Sequence, residues 1–248
     1  MKILVLFLLG SLFFSAFAHN RRAENLSMEK SIHREFFQGR NGGISYCRLD
    51  ENMDLPGTPY LVLVLHGRSG SGDDNSRQLS SPVIQPLLDF VRSSRMKTVI
   101  LVPQCPSSRD WLRGGSSSML SIAFELAEQI CRKYRIPPAK RFITGVSMGG
   151  GACYALMAEH PGFFSRAMIV SAGGRPETAS RMRGYFYLIH GTADRLIPVE
   201  RVERMVSALR RNQNCRVQLK LLRGKGHADG ADAACTSESL KWLFDIAR

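Results

Sequence analysis

One serine in this chain is walled by glycines. Ser147 lies in "FITGVSMGGG", residues 142 to 151, directly after an apolar run and directly before a segment with helical spacing. Gly145, Ser147 and Gly149 satisfy G-x-S-x-G, the pattern of a strand that turns sharply into a helix with the serine held at a strained apex. Such a turn tolerates little bulk beside it, and glycine supplies none. A serine hydroxyl is a weak nucleophile until a base takes its proton, so attack on a carbonyl would need a histidine, and an acid to orient that histidine. Without them, the same residues amount to a serine N-cap in a glycine-rich turn.

Three histidines follow Ser147: His160, His190 and His227. His160 precedes Pro161 at a helix end, too near in sequence to fold back over the turn, and His190 ends a strand inside "LIHGTAD". His227 sits in "GKGHADG", a glycine-rich loop after the last apolar strand, from which an imidazole can reach across the sheet edge. For the acid, Asp194 follows the strand "YFYLIH" directly, whereas Glu177, Glu200 and Glu203 stand in polar loop or helix contexts. Ser147, Asp194 and His227 thus follow one another in the chain order nucleophile, acid, base, each placed just after a strand. A developing oxyanion also needs donors. The backbone N–H of Met148 is one candidate, and Arg68, in the glycine-flanked turn of "LHGRSGSGDDN", is the other. That turn lacks the G-K-[ST] ending of a phosphate-binding loop, so its glycines fit a backbone approaching a carbonyl. There is no H-E-x-x-H and no Cys/His cluster at zinc spacing, so neither a metal nor a cofactor is expected.

The elements that must position these residues are legible as alternation. Apolar β-rich runs occur at "YLVLVLH" (60 to 66), "TVILVPQ" (98 to 104), "RFITGV" (141 to 146), "AMIVSA" (167 to 172), "YFYLIHG" (185 to 191) and "VQLKLL" (217 to 222). Between most of them lie helical segments, "SMLSIAFELAEQICRKY", "GGGACYALMAEH" and "VERVERMVSALRRN", and "SESLKWLFDIA" closes the chain. Continuous apolar strands alternating with amphipathic helices predict an α/β fold: a mostly parallel, doubly wound sheet with helices on both faces and functional loops at the strand carboxyl ends. Residues 19 to about 40 are polar without clear period, a tail or a first short strand. No insertion of lid length separates "GVSMGGG" from "YFYLIH", so no large lid is expected.

The start "MKILVLFLLGSLFFSAFA" carries a lysine, an apolar run and a small-x-small site before His19, the form of a cleaved signal peptide over residues 1 to 18. A retained anchor is the alternative, but the run is shorter than the roughly 20 residues a span needs. This predicts a single domain over residues 19 to 248, secreted or periplasmic, with no stable membrane span after cleavage. The net charge of +13 invites a nucleic-acid partner, yet the basic residues are scattered and accompany no aromatic platform or recognition helix. We therefore expect a solvated basic face and no nucleic acid. Six cysteines in an exported chain can form bridges or stay as buried thiols. Cys215 and Cys235 flank the His227 loop, and a bridge between them would close a loop of about 20 residues.

The chain resembles the α/β-hydrolase superfamily, in particular its secreted esterase, polyhydroxybutyrate-depolymerase-like and "predicted peptidase" group. The resemblance runs from about Tyr60 to Gly230 through "LHGRSGSGDDN", "PQCPSSRDW", "GVSMGGG", "HGTADRLIPVERVERMVSAL" and "GKGH". It implies the α/β-hydrolase fold, oxyanion donors at Arg68 and Met148, and a small-molecule or polymeric ester as substrate. It also suggests that Trp111 lines the substrate pocket, a packed core aromatic being the other reading. A peptidase with the same three residues, or a binding protein that keeps the fold, are the alternatives.

Overall fold

The computed structural model describes residues 31 to 246. The predicted signal segment and its cleavage site before His19 lie outside them. From Arg34 onward the chain forms one compact unit. Its sheet has eight strands: β1 (Ile32–Gly39), β2 (Gly42–Glu51), β3 (Tyr60–Leu65), β4 (Thr98–Pro103), β5 (Arg141–Val146), β6 (Arg166–Val170), β7 (Gly184–Gly191) and β8 (Cys215–Leu222). Their spatial order is β1-β2-β4-β3-β5-β6-β7-β8. Every pair from β4 through β8 is parallel, and β2 joins β4 antiparallel.

The central strands are buried almost residue for residue, because both faces of the sheet are covered. The helices are α1 (Ile84–Ser93), α2 (Met119–Tyr134), α3 (Met148–Glu159), α4 (Val199–Arg211), α5 (His227–Asp232) and α6 (Ser237–Leu243). Along β3, Leu61, Leu63 and Leu65 join one core with the buried sides of α2, α3 and α4. On the other face Phe142 of β5 packs edge-on to Phe244 beyond α6, which also meets Phe90 of α1. Helix α1 buries Ile84, Leu87, Leu88 and Val91, a stripe at helical spacing. Helix α3 is different: its glycines and small residues let it lie directly on the sheet, apolar on all sides.

The expected apolar runs are all strands, shifted at their ends by one or two residues. A strand does begin within the polar N-terminal stretch, as β1, but β2, α1 and α5 lie outside the expected elements, and α5 begins at His227, where a glycine-rich loop is expected. The elements between Ser147 and β7 are α3, β6 and a short 3-10 turn, Pro176–Arg181, so no lid occupies that interval. No helix among the described residues is long and apolar enough to cross a membrane. The Cys215–Cys235 bridge is absent, and all six cysteines are free thiols. Cys215 turns into the core on the α4 side and donates to the Met182 carbonyl, whereas Cys235 donates to the carbonyl of Val83, just before α1. Each thiol is packed into its own apolar surroundings, so the strand-and-return path does not bring them together.

Strand order reverses beside β3: the chain passes from β3 to β4 on one side and then crosses to β5 on the other. The carboxyl ends of β3 and β5 therefore flank the crevice where doubly wound sheets place ligands. Close approach there depends on Gly149, where a Cβ would lie 2.0 Å from the Leu65 carbonyl oxygen. Gly149→Ala should thus push α3 off the sheet and destabilise the fold by about 3 kcal/mol or more. Gly151→Ala, whose added Cβ meets nothing within 4 Å, should be neutral or stabilise by up to about 1 kcal/mol. Thermal denaturation of the two variants beside the parent checks both.

Candidate active site

The β-branched and aromatic run of β5 ends at Val146, and the next residue, Ser147, takes φ 55° and ψ −115°. That conformation costs an ordinary residue about 1–3 kcal/mol and persists only where surrounding structure imposes it. Here the Ser147 N–H donates to the Val170 carbonyl at 2.9 Å, and the Ser147 carbonyl accepts from the Gly151 N–H at 3.0 Å. The glycines make the bend possible. A Cβ on Gly145 would lie 2.5 Å from the Gly149 oxygen, and one on Gly150 would lie 2.4 Å from the Ala172 Cβ. Although Ser147 occupies the N-cap position of α3, its hydroxyl makes no capping hydrogen bond.

That hydroxyl instead donates to His227 Nε2 at 2.9 Å, and His227 Nδ1–H donates to Asp194 Oδ2 at 2.7 Å. The Asp194 side chain is fully buried, with Oδ1 accepting from the Leu196 and Ile197 N–H groups, both at 2.9 Å. Burial pushes this carboxyl up, but the Ile197 N–H, the His227 imidazole and the Leu196 N–H outweigh it and hold it below the usual carboxylate range. It is therefore ionised, and the hydrogen bond it accepts fixes the tautomer that leaves Nε2 free to take a proton. The acid and histidine loops are laced by backbone bonds: Thr192 N–H to Leu222 and Ala193 N–H to Lys225. Gly191 permits that approach, since a Cβ there would stand 2.3 Å from the Lys225 oxygen.

Arg68 and Met148 are the first residues of a 3-10 turn and of α3, so helix geometry provides their N–H groups with no intrahelical acceptor. Gly67 brings the two segments together: a Cβ on it would lie 3.5 Å from the Ser147 Cβ. His66 anchors this loop from below. It is fully buried, donates from Nδ1 to the Gly67 carbonyl at 2.7 Å and accepts the Cys105 N–H on Nε2 at 3.0 Å. Burial pushes its imidazole down to about 4, so it is neutral. Trp111 does not line the pocket. It is fully buried, its ring 5.0 Å from His66 and its Nε1–H donating to the His66 carbonyl, because that carbonyl is the partner its indole needs once desolvated.

Three supporting residues escaped sequence reasoning. His66 directly precedes Gly67, and that adjacency is the signal of its role. His190, set aside as a strand residue, is buried and donates from Nε2 to the Ile197 carbonyl at 2.8 Å, bracing the turn that holds Asp194. Ser171, at φ 48° after β6, donates to the His227 carbonyl at 3.2 Å; nothing in its local sequence signals this. A cavity of about 370 Å³ opens one helical turn from Ser147, beside Gly151, and is lined by Leu112 and Tyr154 but by none of Ser147, Asp194 and His227.

No family model matches the chain. Among known sequences it is similar to a protein named probable feruloyl esterase C from Aspergillus terreus, 25% identical over 179 residues, 72% of this chain. The chain spans 64% of that relative's length. Among solved structures, a thermostable esterase superposes with a TM-score of 0.73 at 22% identity, over 89% of this chain and 64% of the other. A ferulic acid esterase superposes at 0.67 and 15% identity, over 87% and 98%. The chain has the α/β-hydrolase fold that these solved esterases share.

The His66 anchor makes stability depend on pH. Because its folded-state value lies below that of a free imidazole, the unfolded chain binds the proton more readily. Stability should be complete above about pH 6.5 and fall toward pH 4 by on the order of 2–3 kcal/mol. Asp194, held below the usual carboxylate range, adds its own loss only at lower pH. Urea midpoints from pH 7 to 4 should show the decline, and His66→Gln should flatten it above pH 4.

Proposed function

We propose that the protein is a serine hydrolase that cleaves carboxylic esters through an acyl-enzyme on Ser147, acting outside the cytoplasm. The observation that carries this reading is the continuous hydrogen-bonded series Asp194–His227–Ser147, ending on a hydroxyl held at a strained turn. In the proposed mechanism Ser147 Oγ attacks the ester carbonyl while its proton passes to His227 Nε2. The Asp194 carboxylate stabilises the resulting imidazolium and keeps its orientation. The N–H groups of Arg68 and Met148 receive the oxyanion of the tetrahedral intermediate. Collapse breaks the bond to the alcohol oxygen, which takes the proton from Nε2. A water then attacks the acyl-enzyme with Nε2 accepting its proton, and the acid leaves as Ser147 Oγ is reprotonated.

Esters rather than peptides are favoured by the names of the sequence relatives and by the unlidded approach to Ser147, while the solved structures of this fold include peptidases as well as esterases. Action outside the cytoplasm rests on the N-terminal sequence, and N-terminal sequencing of the exported protein should begin at His19. The mechanism is tested by labelling. A fluorophosphonate probe should modify Ser147, and Ser147→Ala should lose both labelling and ester turnover while keeping its denaturation midpoint. Asp194→Asn should lower kcat by about 10⁴, since the amide stabilises the wrong tautomer. A loss below about tenfold in that variant would remove Asp194 from the mechanism.

A further inference from the structure

The cavity beside Ser147 has a chemical character that ester hydrolysis by itself does not call for. It begins at Gly151, whose N–H bonds the Ser147 carbonyl, and runs along α3 past Tyr154 toward Glu159. At 1.5 Å rise per residue, this places it about 6 to 18 Å along the helix axis from the nucleophile. Arg175 and Arg181, at the two ends of the 3-10 turn, and Arg201, in the first turn of α4, line its far wall. Among the described residues none of these three side chains forms an ion pair or a hydrogen bond. The one carboxylate lining the cavity, Glu159, is likewise unpaired. Three guanidinium groups against one carboxylate leave the cavity cationic.

A second observation is independent of charge. Tyr154 is 2% exposed, and its hydroxyl is buried without a hydrogen-bond partner. No protein group satisfies this hydroxyl, which belongs to a residue lining the cavity, although native structures satisfy nearly all such groups. Burial raises its pKa further, so it remains a neutral donor. Two glycines keep the space open. A Cβ on Gly151 would meet nothing within 4 Å, and one on Gly174 would already crowd the Tyr154 ring at 3.0 Å. Guanidinium forks match carboxylates in geometry as well as charge.

We propose that this cavity is a substrate subsite for an arm ending in a carboxylate, so that the preferred ester carries a negative charge one to three helical turns from its scissile carbonyl. This deepens the esterase reading and rests on it for the reaction, but not for the binding. Leu112, 48% exposed, supplies an apolar edge for the linker between carbonyl and carboxylate. The net charge of +13 would assist by attracting anionic esters from solution.

Two pairs of esters differing only at the distal group test the arm on either side of the scissile bond. One pair is 4-nitrophenyl hydrogen suberate and 4-nitrophenyl suberamate; the other joins octanoate to 6-hydroxyhexanoate or to its amide. At least one carboxylate ester should exceed its amide in kcat/KM by about tenfold, the low end for one charge-assisted hydrogen bond. The preference should shrink with salt and vanish in the variant Arg175→Gln/Arg181→Gln/Arg201→Gln, with the amide ester as internal reference for folding. Equal values within both pairs, or a preference that survives the triple substitution, would overturn the proposal. Binding is read separately by titrating suberate into Ser147→Ala protein calorimetrically. Binding weakened about tenfold by the three arginine substitutions supports the subsite even if no ester is turned over. If suberate gives no heat, or binds unchanged in the substituted protein, the subsite is refuted whatever the protein hydrolyses.

Discussion

The contact between Gly149 of α3 and the Leu65 carbonyl of β3 is the constraint on which the rest of this molecule depends. It allows a helix to start directly on the sheet, with no side chain interposed, at the place where strand order reverses. Only with α3 seated that low can the chain leave β5 through a single residue at positive φ, and only then does the Ser147 hydroxyl stand clear of its own helix. The neighbouring glycines serve the same approach. The strained serine is thus a consequence of packing several residues away, which explains how an unfavourable backbone conformation is maintained.

Around that turn the loops are held by buried polar groups that act in pairs with backbone carbonyls. His66 braces the Gly67 carbonyl, His190 the Ile197 carbonyl and Ser171 the His227 carbonyl. Each ties a loop at the carboxyl end of a strand to the sheet beneath it. Loops of this kind are ordinarily the more mobile parts of a fold. Anchoring them to the parallel strands transfers the rigidity of the core to Arg68, Asp194 and His227. Keeping His66 neutral also spares the core an unpaired charge.

Much of the architecture was legible because the central strands are buried on both faces and read as unbroken apolar runs. The strands that the sequence marks only weakly, β1, and not at all, β2, have a different environment. β1, "IHREFFQG", lies at the sheet edge, carries charge and is largely open to solvent, so its sequence looks like a polar tail. β2, "GGISYCRLDE", is only partly buried and is interrupted by charge. Helix α1 carries Pro86 in its first turn, where proline is tolerated but reads as a breaker.

At the site the sequence by itself determined local matters: a glycine-walled serine after a strand, an acid after another, and a histidine after the last. These are short-range properties, fixed by the sterics of a tight turn and by the period of the elements on either side. What the tertiary structure decided is which groups meet. Ser147 and His227 are 80 positions apart, and their bond exists because parallel strands bring successive loops to one edge of the sheet. The same distance from local pattern governs Trp111, which packs beneath the Arg68 loop because its indole N–H finds the His66 carbonyl, and Cys215 and Cys235, which separate packing surroundings keep as free thiols. Periodicity along a chain records which face a residue takes, whereas its partner across the core is set only when the layers close.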